Sequence, residues 1–423
     1  MNVLIIGSGG REHALAKKIS ESDKLTKLYC APGNPGIEWH AELVNLNISD
    51  KSEVVDFCKN EKIDLVVVGP EQPLVDGISD SLRENNIKVF GPNKKASMIE
   101  GDKSFAKQVM QKYGIPTASF KVFNKDQKQS ALTYLEEINY PTVIKASGLA
   151  AGKGVTICNN EEEAAQGIIK YFDEDLFGES GHKIVIEEFL EGEEASIFVV
   201  TDGMQYVVLP SSQDHKRALD GDKGKNTGGM GAYAPAPVVT EPILLDIHES
   251  IIAPTLEGLA EENRLYNGCL YVGLMLTKDG PKVIEYNCRF GDPETQCVLP
   301  LLEGDFLELL YTAASGKINK QAVKYNGGSS VCVVAASEGY PDNYEKGFEI
   351  SGLDSQFENV EVYQAGTKRV DDNIVTNGGR VLGVTSVIKE NDLKHAKQIA
   401  YDALSKINFT GITYRSDIAD KAL

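Results

Sequence analysis

KASGLAAGKGV, residues 145–155, carries the glycines and the lysine of a phosphate-binding loop, and whether it is one decides the fold. The P-loop pattern G-x-x-x-x-G-K-[ST] fails here twice. Gly148 and Gly152 enclose three residues rather than four, and Lys153 is followed by Gly154, which has no hydroxyl for a magnesium ion. The flanks are more informative. TVIKA (142–146) and VTIC (155–158) read as strands on either side, followed by a helix at 161–171 and the strand KIVIEEF (183–189). The stretch is expected to link two strands of a small α+β lid.

Working outward toward the start, the chain alternates strand and helix. NVLIIG (2–7) and DLVVVG (64–69) are continuous apolar runs suited to buried parallel strands. KLYCA (27–31) and IKVFG (87–91) are further strands, with helices at 11–20, 49–60 and 74–85 between them. This predicts a doubly wound parallel sheet, which binds ligands beyond the carboxyl ends of its strands. From 102 the pattern changes. A helix at 102–114 precedes the lid, and strands at 194–200 and 204–210 and a long helix at 242–262 follow it. CLYVGLMLT (269–277) and KVIEYNCRF (282–290) form a hairpin across KDGP. Helices near 294–315 lead to a last α+β module, with SSVCVVAA (329–336), strands near 360–368 and 379–388, and a helix at 391–405. The expected domains are 1–101, 102–326 with the lid at about 122–191, and 327–423.

Composition narrows the class. The chain has 423 residues, 42% of them hydrophobic, and a net charge of −19, which argues against nonspecific nucleic-acid binding. No apolar run reaches membrane-spanning length. The seven cysteines are scattered without a CxxC, which disfavours a zinc ribbon or disulfide framework and suits a reducing compartment. A first strand at residue 3 leaves no room for a leader, so a cytoplasmic protein is expected. The six histidines form no HxxxH or HExxH pair, and no GxSxG elbow occurs.

Against this acidic background the polar loops stand out. GSGGREHA (7–14) follows the first strand but has Glu12 where a dinucleotide fingerprint has glycine. Backbone N–H groups at Gly9 and Gly10 with the Arg11 charge suit a smaller phosphate. APGNPG (31–36), with Gly33 and Asn34, and GPEQP (69–73), with Gly69, Pro70 and Glu71, end the next strands; Glu71 is placed to meet sugar hydroxyls or an amine. In KVIEYNCRFGDPETQ (282–296) the period of two puts Glu285, Asn287 and Arg289 on one strand face. A carboxylate and an amide oxygen are hard ligands for Mg²⁺ bridged to ATP phosphates, and Arg289 can grip a carboxylate with both arms. VIEEFLEGEE (185–194) reads as a strand running into an adenine hinge. Backbone groups around Glu187, Glu188, Phe189 and Leu190 would meet the base, and Glu193 or Glu194 the ribose. Lys145 inside an apolar strand is costly unless paired, and a nucleotide phosphate would supply the pairing, as for Lys103. In SSQDHKR (211–217) Asp214 is a candidate for an amine, and Gly228 and Gly229 of NTGGMGAYAP suit close approach to a ligand.

Together with QAGTKR (364–369) and TNGGRVL (376–382), these stretches resemble the phosphoribosylamine–glycine ligase family of the ATP-grasp superfamily over essentially the whole chain. RFGDPETQ (289–296) is the most specific of them. The resemblance implies an N-terminal pre-ATP-grasp domain, an ATP-grasp module with a lid subdomain and a C-terminal α+β module. It implies a loop, with Gly152 and Gly154, that covers ATP phosphates as a mobile lid element and need not obey P-loop spacing. Lys103 and Lys145 become the phosphate lysines, Glu285 and Asn287 the ligands of Mg²⁺ or Mn²⁺, and Arg289 the holder of the reacting carboxylate. The N-terminal loops, with Asp214 and Asp292, become substrate groups. The implied reaction joins glycine to 5-phosphoribosylamine at the expense of ATP in purine synthesis, in an enzyme without nucleic-acid or membrane partners and expected to be a monomer. Two departures stand out. Many relatives have aspartate where Ser147 stands, and the strand YVGLMLT lacks an acidic metal ligand found in other ATP-grasp enzymes. A related ATP-grasp ligase with another carboxylate substrate, and a non-catalytic nucleotide sensor, are the rival readings.

Overall fold

The computed structural model describes residues 1–150, 154–355 and 357–423. The N-terminal sheet runs Glu42–Leu43, Lys27–Pro32, Asn2–Gly7, Leu65–Val68, Val89–Phe90, every neighbour parallel. Val3 to Ile6 and Leu65 to Val67 are wholly buried, as unbroken apolar strands must be when both faces are covered. The helix expected at 74–85 is two helices, Glu71–Asp76 and Ile78–Glu84, separated by Gly77 at φ 92°. Glycine adopts that left-handed conformation without a Cβ clash, which lets the chain turn between them.

The lid is a four-stranded antiparallel sheet ordered Phe120–Asn124, Lys183–Glu188, Thr142–Ala146, Val155–Cys158. Lys145 lies opposite Val155 on one side and Val185 on the other, so the opening stretch does join two paired strands. Helices Lys128–Tyr134 and Glu161–Phe172 close one face over Ile144, Ile184 and Ile186. Gly152 and Lys153 of the glycine-rich loop lie outside the described residues.

A second antiparallel sheet, ordered Tyr206–Val208, Glu193–Thr201, Gly268–Thr277, Gly280–Asn287, forms the floor below the lid. The long helix at its back is interrupted. Glu241–Asp246 passes through a π-helical turn, Ile247–Ile252, into Ala253–Glu261. Pro254 has no N–H to donate, so the hydrogen-bond ladder widens just ahead of it.

The C-terminal sheet holds Gly231–Ala234, Ser329–Ser337, Arg380–Ile388 and Val360–Gln364, with helix Leu393–Leu404 packed on it. Gly231–Ala234 reads in the sequence as part of a ligand loop. It is a buried strand whose Tyr233 pairs with Val331, nearly a hundred residues on. The strand expected at 360–368 ends at Gln364, and Thr367–Val370 pairs instead with Asn373–Thr376.

Candidate active site

A cleft of about 870 Å³ opens where the lid, the floor sheet, the N-terminal loops and the C-terminal module meet. Of the residues singled out in the sequence, Arg11, Pro70, Glu71, Lys103, Lys145, Gly154, Glu187, Glu188, Phe189, Leu190, Glu193, Glu194, Asp214, Gly228, Glu285, Asn287, Arg289 and Asp292 line it. Gly9, Gly10, Gly33, Asn34, Gly69 and Gly229 are not on its wall.

Glu285 reaches the cleft through a local irregularity. The hairpin pairs Leu274 with Val283 but Gly273 with Glu285, so Ile284 is an extra residue with no partner opposite. Strict alternation from buried Val283 would have turned Glu285 into the core. The bulge shifts the phase by one, and Glu285, Asn287 and Arg289 then face the cleft while Tyr286 and Cys288 are buried. The common face is as expected, but the strand ends at Asn287, and Arg289 stands on the loop beyond it.

The lysines are arranged differently from the expectation. Lys145 is 4% exposed, and its ion pair is with Glu187; its Nζ also donates to the Ile284 carbonyl at 3.2 Å. Glu187 meets Lys107 on its other oxygen at 2.6 Å, and Lys107 donates to Thr117 Oγ1 at 2.7 Å. Pairing from within the protein, rather than from phosphate alone, thus makes a lysine tolerable in this strand. It also gives the Glu187 side chain a task apart from the base. Burial opposes the charged form of Glu187, but Lys145 and Lys107 outweigh it and hold its carboxyl below the ordinary value. Ser147, left without a role in the sequence, ties the two lysine-bearing elements together. Its carbonyl accepts from Lys103 N–H at 2.7 Å, and its hydroxyl donates to Asp102, the cap of helix Lys103–Lys112, at 2.6 Å.

The N-terminal loops are more occupied than their sequence suggests. Glu12 is buried and takes the Gly9 N–H at 2.6 Å, and its side chain fills the space that a Cβ on Gly7 or Gly69 would need. The substitution that spoils the dinucleotide fingerprint therefore also fills its cradle. Arg11 donates to Glu12 and to the Phe290 carbonyl, so its fork is largely engaged by protein. Asn34 is saturated: it donates to the carbonyls of Ser8 and Gln364 at 2.8 Å each and accepts from Gly36 and Ile37. It docks the C-terminal module rather than facing the cleft. Gly228 and Gly229 permit close approach of protein, since a Cβ on them would strike Arg380 at 3.0 Å and Pro293 at 2.5 Å.

Arg289 is held by two carboxylates, Glu71 at 3.2 Å and Glu100 at 3.1 Å. Glu71 is thus an arginine partner as well as a residue of the cleft wall. Asp292 joins three modules: it accepts from Arg11 N–H at 3.4 Å and Gln296 at 2.9 Å and pairs with Arg380 at 3.3 Å. Glu194 is engaged by Lys216 at 2.8 Å, which also comes within 3.9 Å of Glu285, and Glu193 accepts from Gln213 at 3.2 Å. Asp214 is the exception. It is 9% exposed, lines the cleft, and among the described residues no hydrogen bond or ion pair reaches its carboxylate. Burial pushes its pKa up to about 8, with Glu294, Glu194 and Glu285 adding to the rise and Lys216 opposing it. Glu100, Lys107, Lys216, Glu294 and Arg380 carry no role in the sequence reading. Lys107 was findable, four residues from Lys103 on one helix face; the others meet the site only through the fold.

No cluster of three or more His, Cys, Asp or Glu suited to a metal occurs among the described residues. Glu285 and Asn287 fit a hard cation that keeps water and substrate oxygens as its remaining ligands, as Mg²⁺ commonly does. Lys216, Lys145 and Lys103 outweigh the effect of burial and keep the Glu285 carboxyl below its ordinary value, the state that ligation requires.

Comparison with known proteins agrees with this architecture. Family models described as the N domain, the ATP-grasp (A) domain and the C domain of phosphoribosylglycinamide synthetase match residues 1–100, 101–295 and 330–421. The chain is 48% identical to a phosphoribosylamine–glycine ligase of Caldanaerobacter subterraneus over 99% of each chain, and 47% identical to one of Leptospira interrogans over 100% of this chain and 99% of that one. A crystal structure of the ligase of that name from Thermotoga maritima superposes with TM-score 0.84 at 35% identity, covering 99% of this chain and 100% of that one. The biotin carboxylase domain of a Hydrogenobacter thermophilus 2-oxoglutarate carboxylase shares the fold, with TM-score 0.75 at 17% identity, covering 98% and 91%. A lid closing over an antiparallel floor, behind a parallel N-terminal sheet, defines an ATP-grasp enzyme. Within that class, the chain belongs to the phosphoribosylglycinamide synthetase family.

Proposed function

We propose that this enzyme ligates glycine to 5-phosphoribosylamine with cleavage of ATP, giving glycinamide ribonucleotide, ADP and phosphate in purine synthesis. The observation that carries the reading is the convergence of Lys103, Lys145, Glu285, Asn287 and Arg289 on one cleft, in a chain 48% identical over its length to a relative of that activity. Glu188 to Leu190 and the apolar Val143, Val155 and Ile157 would hold the ATP base, and Lys103 and Lys145 its phosphates; all line the cleft. Glu285 and Asn287 would hold Mg²⁺ or Mn²⁺, which would supply neutralisation of phosphate charge. A glycine carboxylate oxygen attacks the γ-phosphorus as ADP leaves. The sugar amine then attacks the carbonyl of the glycyl phosphate, and phosphate departs. No covalent enzyme nucleophile is needed. Arg289 aligns the carboxylate, Asp214 receives the glycine ammonium, and the lid keeps water from the acyl phosphate. Arg11, Pro70, Gly228 and Asp292 border the space left for the phosphosugar.

Purified protein should release phosphate from ATP only when divalent metal, glycine and phosphoribosylamine are all present. Release independent of either substrate would sink the ligase, and no release at all would favour a nucleotide sensor. Glu285→Gln should keep the fold and cut turnover at limiting Mg²⁺ by about 10- to 100-fold, through loss of charge on the metal. Unchanged turnover there would remove Glu285 from the site.

Asp214 supplies a pH test. Only its carboxylate form attracts an ammonium, and with a pKa near 8 in the free enzyme that form is scarce at neutrality and complete well above pH 8. Glycine affinity of the nucleotide-free enzyme should therefore rise as pH increases through about 8, until glycine's own ammonium begins to lose its proton. In Asp214→Asn, calorimetry should show weaker binding that is flat across this range. A parental profile without the rise would exclude Asp214 as the ammonium partner.

A further inference from the structure

Glu100 lies at the end of helix Lys94–Gly101, 7% exposed, and meets the end of the floor strand from a different module. Its Oε2 accepts the Cys288 N–H at 2.7 Å. Its Oε1 forms an ion pair with Arg289 at 3.1 Å, and of the two Asn287 amide orientations only the one with Nδ2 toward Glu100 lets Oε1 accept a hydrogen bond from it, at 3.0 Å. The same Nδ2 donates to the Tyr286 carbonyl at 3.2 Å. Both amide hydrogens of Asn287 are thereby taken, and its oxygen is the atom left to offer the cleft.

An asparagine side chain has no intrinsic preference between its two faces; neighbours choose. For a cation the choice is decisive, because the oxygen is a ligand and the NH₂ group repels. We propose that Glu100 is a positioning residue for the metal: it turns the Asn287 amide so that oxygen faces the cleft, and fixes the adjoining backbone and Arg289 in the same stroke. The inference rests on the reading of Asn287 as a metal ligand. Glutamine cannot replace Glu100. If its oxygen accepts from Cys288, its NH₂ faces the Asn287 and Arg289 donors, and Asn287 relieves the conflict by flipping its own NH₂ into the cleft.

The test is Mn²⁺ binding in the presence of a non-hydrolysable ATP analogue, read by electron paramagnetic resonance, with thermal unfolding as the check on folding. Glu100→Gln should weaken Mn²⁺ about tenfold, the usual cost of losing an outer-shell partner. In an Asn287→Asp background the same change should cost nothing or restore affinity, since aspartate presents oxygen either way and accepts from Gln. Unchanged affinity in Glu100→Gln, or an equal loss in both backgrounds, would overturn the proposal. Should Glu100→Gln not fold, Asn287→Asp alone decides. Two carboxylates would then face each other, so Mn²⁺ should bind more weakly despite the added charge, and unchanged or tighter binding overturns the proposal. Glu285→Gln is the control: if it too leaves Mn²⁺ binding intact, the metal site itself is misplaced and the role of Glu100 falls with it.

Discussion

Lys145→Met is expected to lower kcat by about 10²- to 10³-fold, the range seen when one preorganised charge-stabilising donor is removed from a transition state. Lys145 stands in the middle of a lid strand with its ammonium on the Glu187 carboxylate and the Ile284 carbonyl, at the edge of the cleft. Those contacts hold the charge in place before nucleotide arrives, so little reorganisation is needed when negative charge develops on the transferring phosphoryl group. Methionine keeps the length and the apolar stem, and Lys107 still pairs with Glu187 at 2.6 Å, so the variant should fold. Steady-state phosphate release, with nucleotide affinity measured separately, checks this. A variant that binds ATP poorly but turns over normally at saturation would make Lys145 a binding group only. Lys107→Met should have a smaller effect, because Lys107 touches Glu187 and Thr117 and is not on the cleft wall.

Arg289→Ala should destabilise the protein by about 3–5 kcal/mol as well as abolish glycine-dependent turnover. The arginine is the common counterion of Glu71 and Glu100, which come from two helices of the N-terminal half. Removing it leaves Glu100, which burial already pushes toward its neutral form, without its cation. Breaking such a pair costs more than the pair contributes, because the remaining charge is stranded. Urea denaturation of the parent and variant measures the difference. A loss under about 1 kcal/mol, the range of hydrated surface pairs, would show that water replaces the arginine. Arg289→Lys should recover stability better than activity, since a point charge can sit between the two carboxylates but cannot fork around a substrate carboxylate.

Much of this was legible in the residues because it depends on local pattern. Apolar runs such as NVLIIG and DLVVVG define buried parallel strands, and KDGP between two strand-like runs defines the floor hairpin. Eighteen of the residues singled out for the site line one cleft, because ligand-facing groups cluster where strands end. The protein partners of these groups were not legible. Asn34, Glu71 and Glu194 look like free polar groups in the sequence, and each is engaged by a partner from a distant segment.

The apolar strands, the floor hairpin and the polar loops at strand ends follow from the chain alone, since periodicity and turn signals act over a few residues; the ATP-grasp class followed from the resemblance of the whole chain to a family. Which face Glu285 takes and what neutralises Lys145 were settled only by tertiary structure. The first depends on a bulge at Ile284, the second on Glu187 from a neighbouring strand. A buried charge must find its partner in space, and nothing in its own stretch of sequence says where that partner will be.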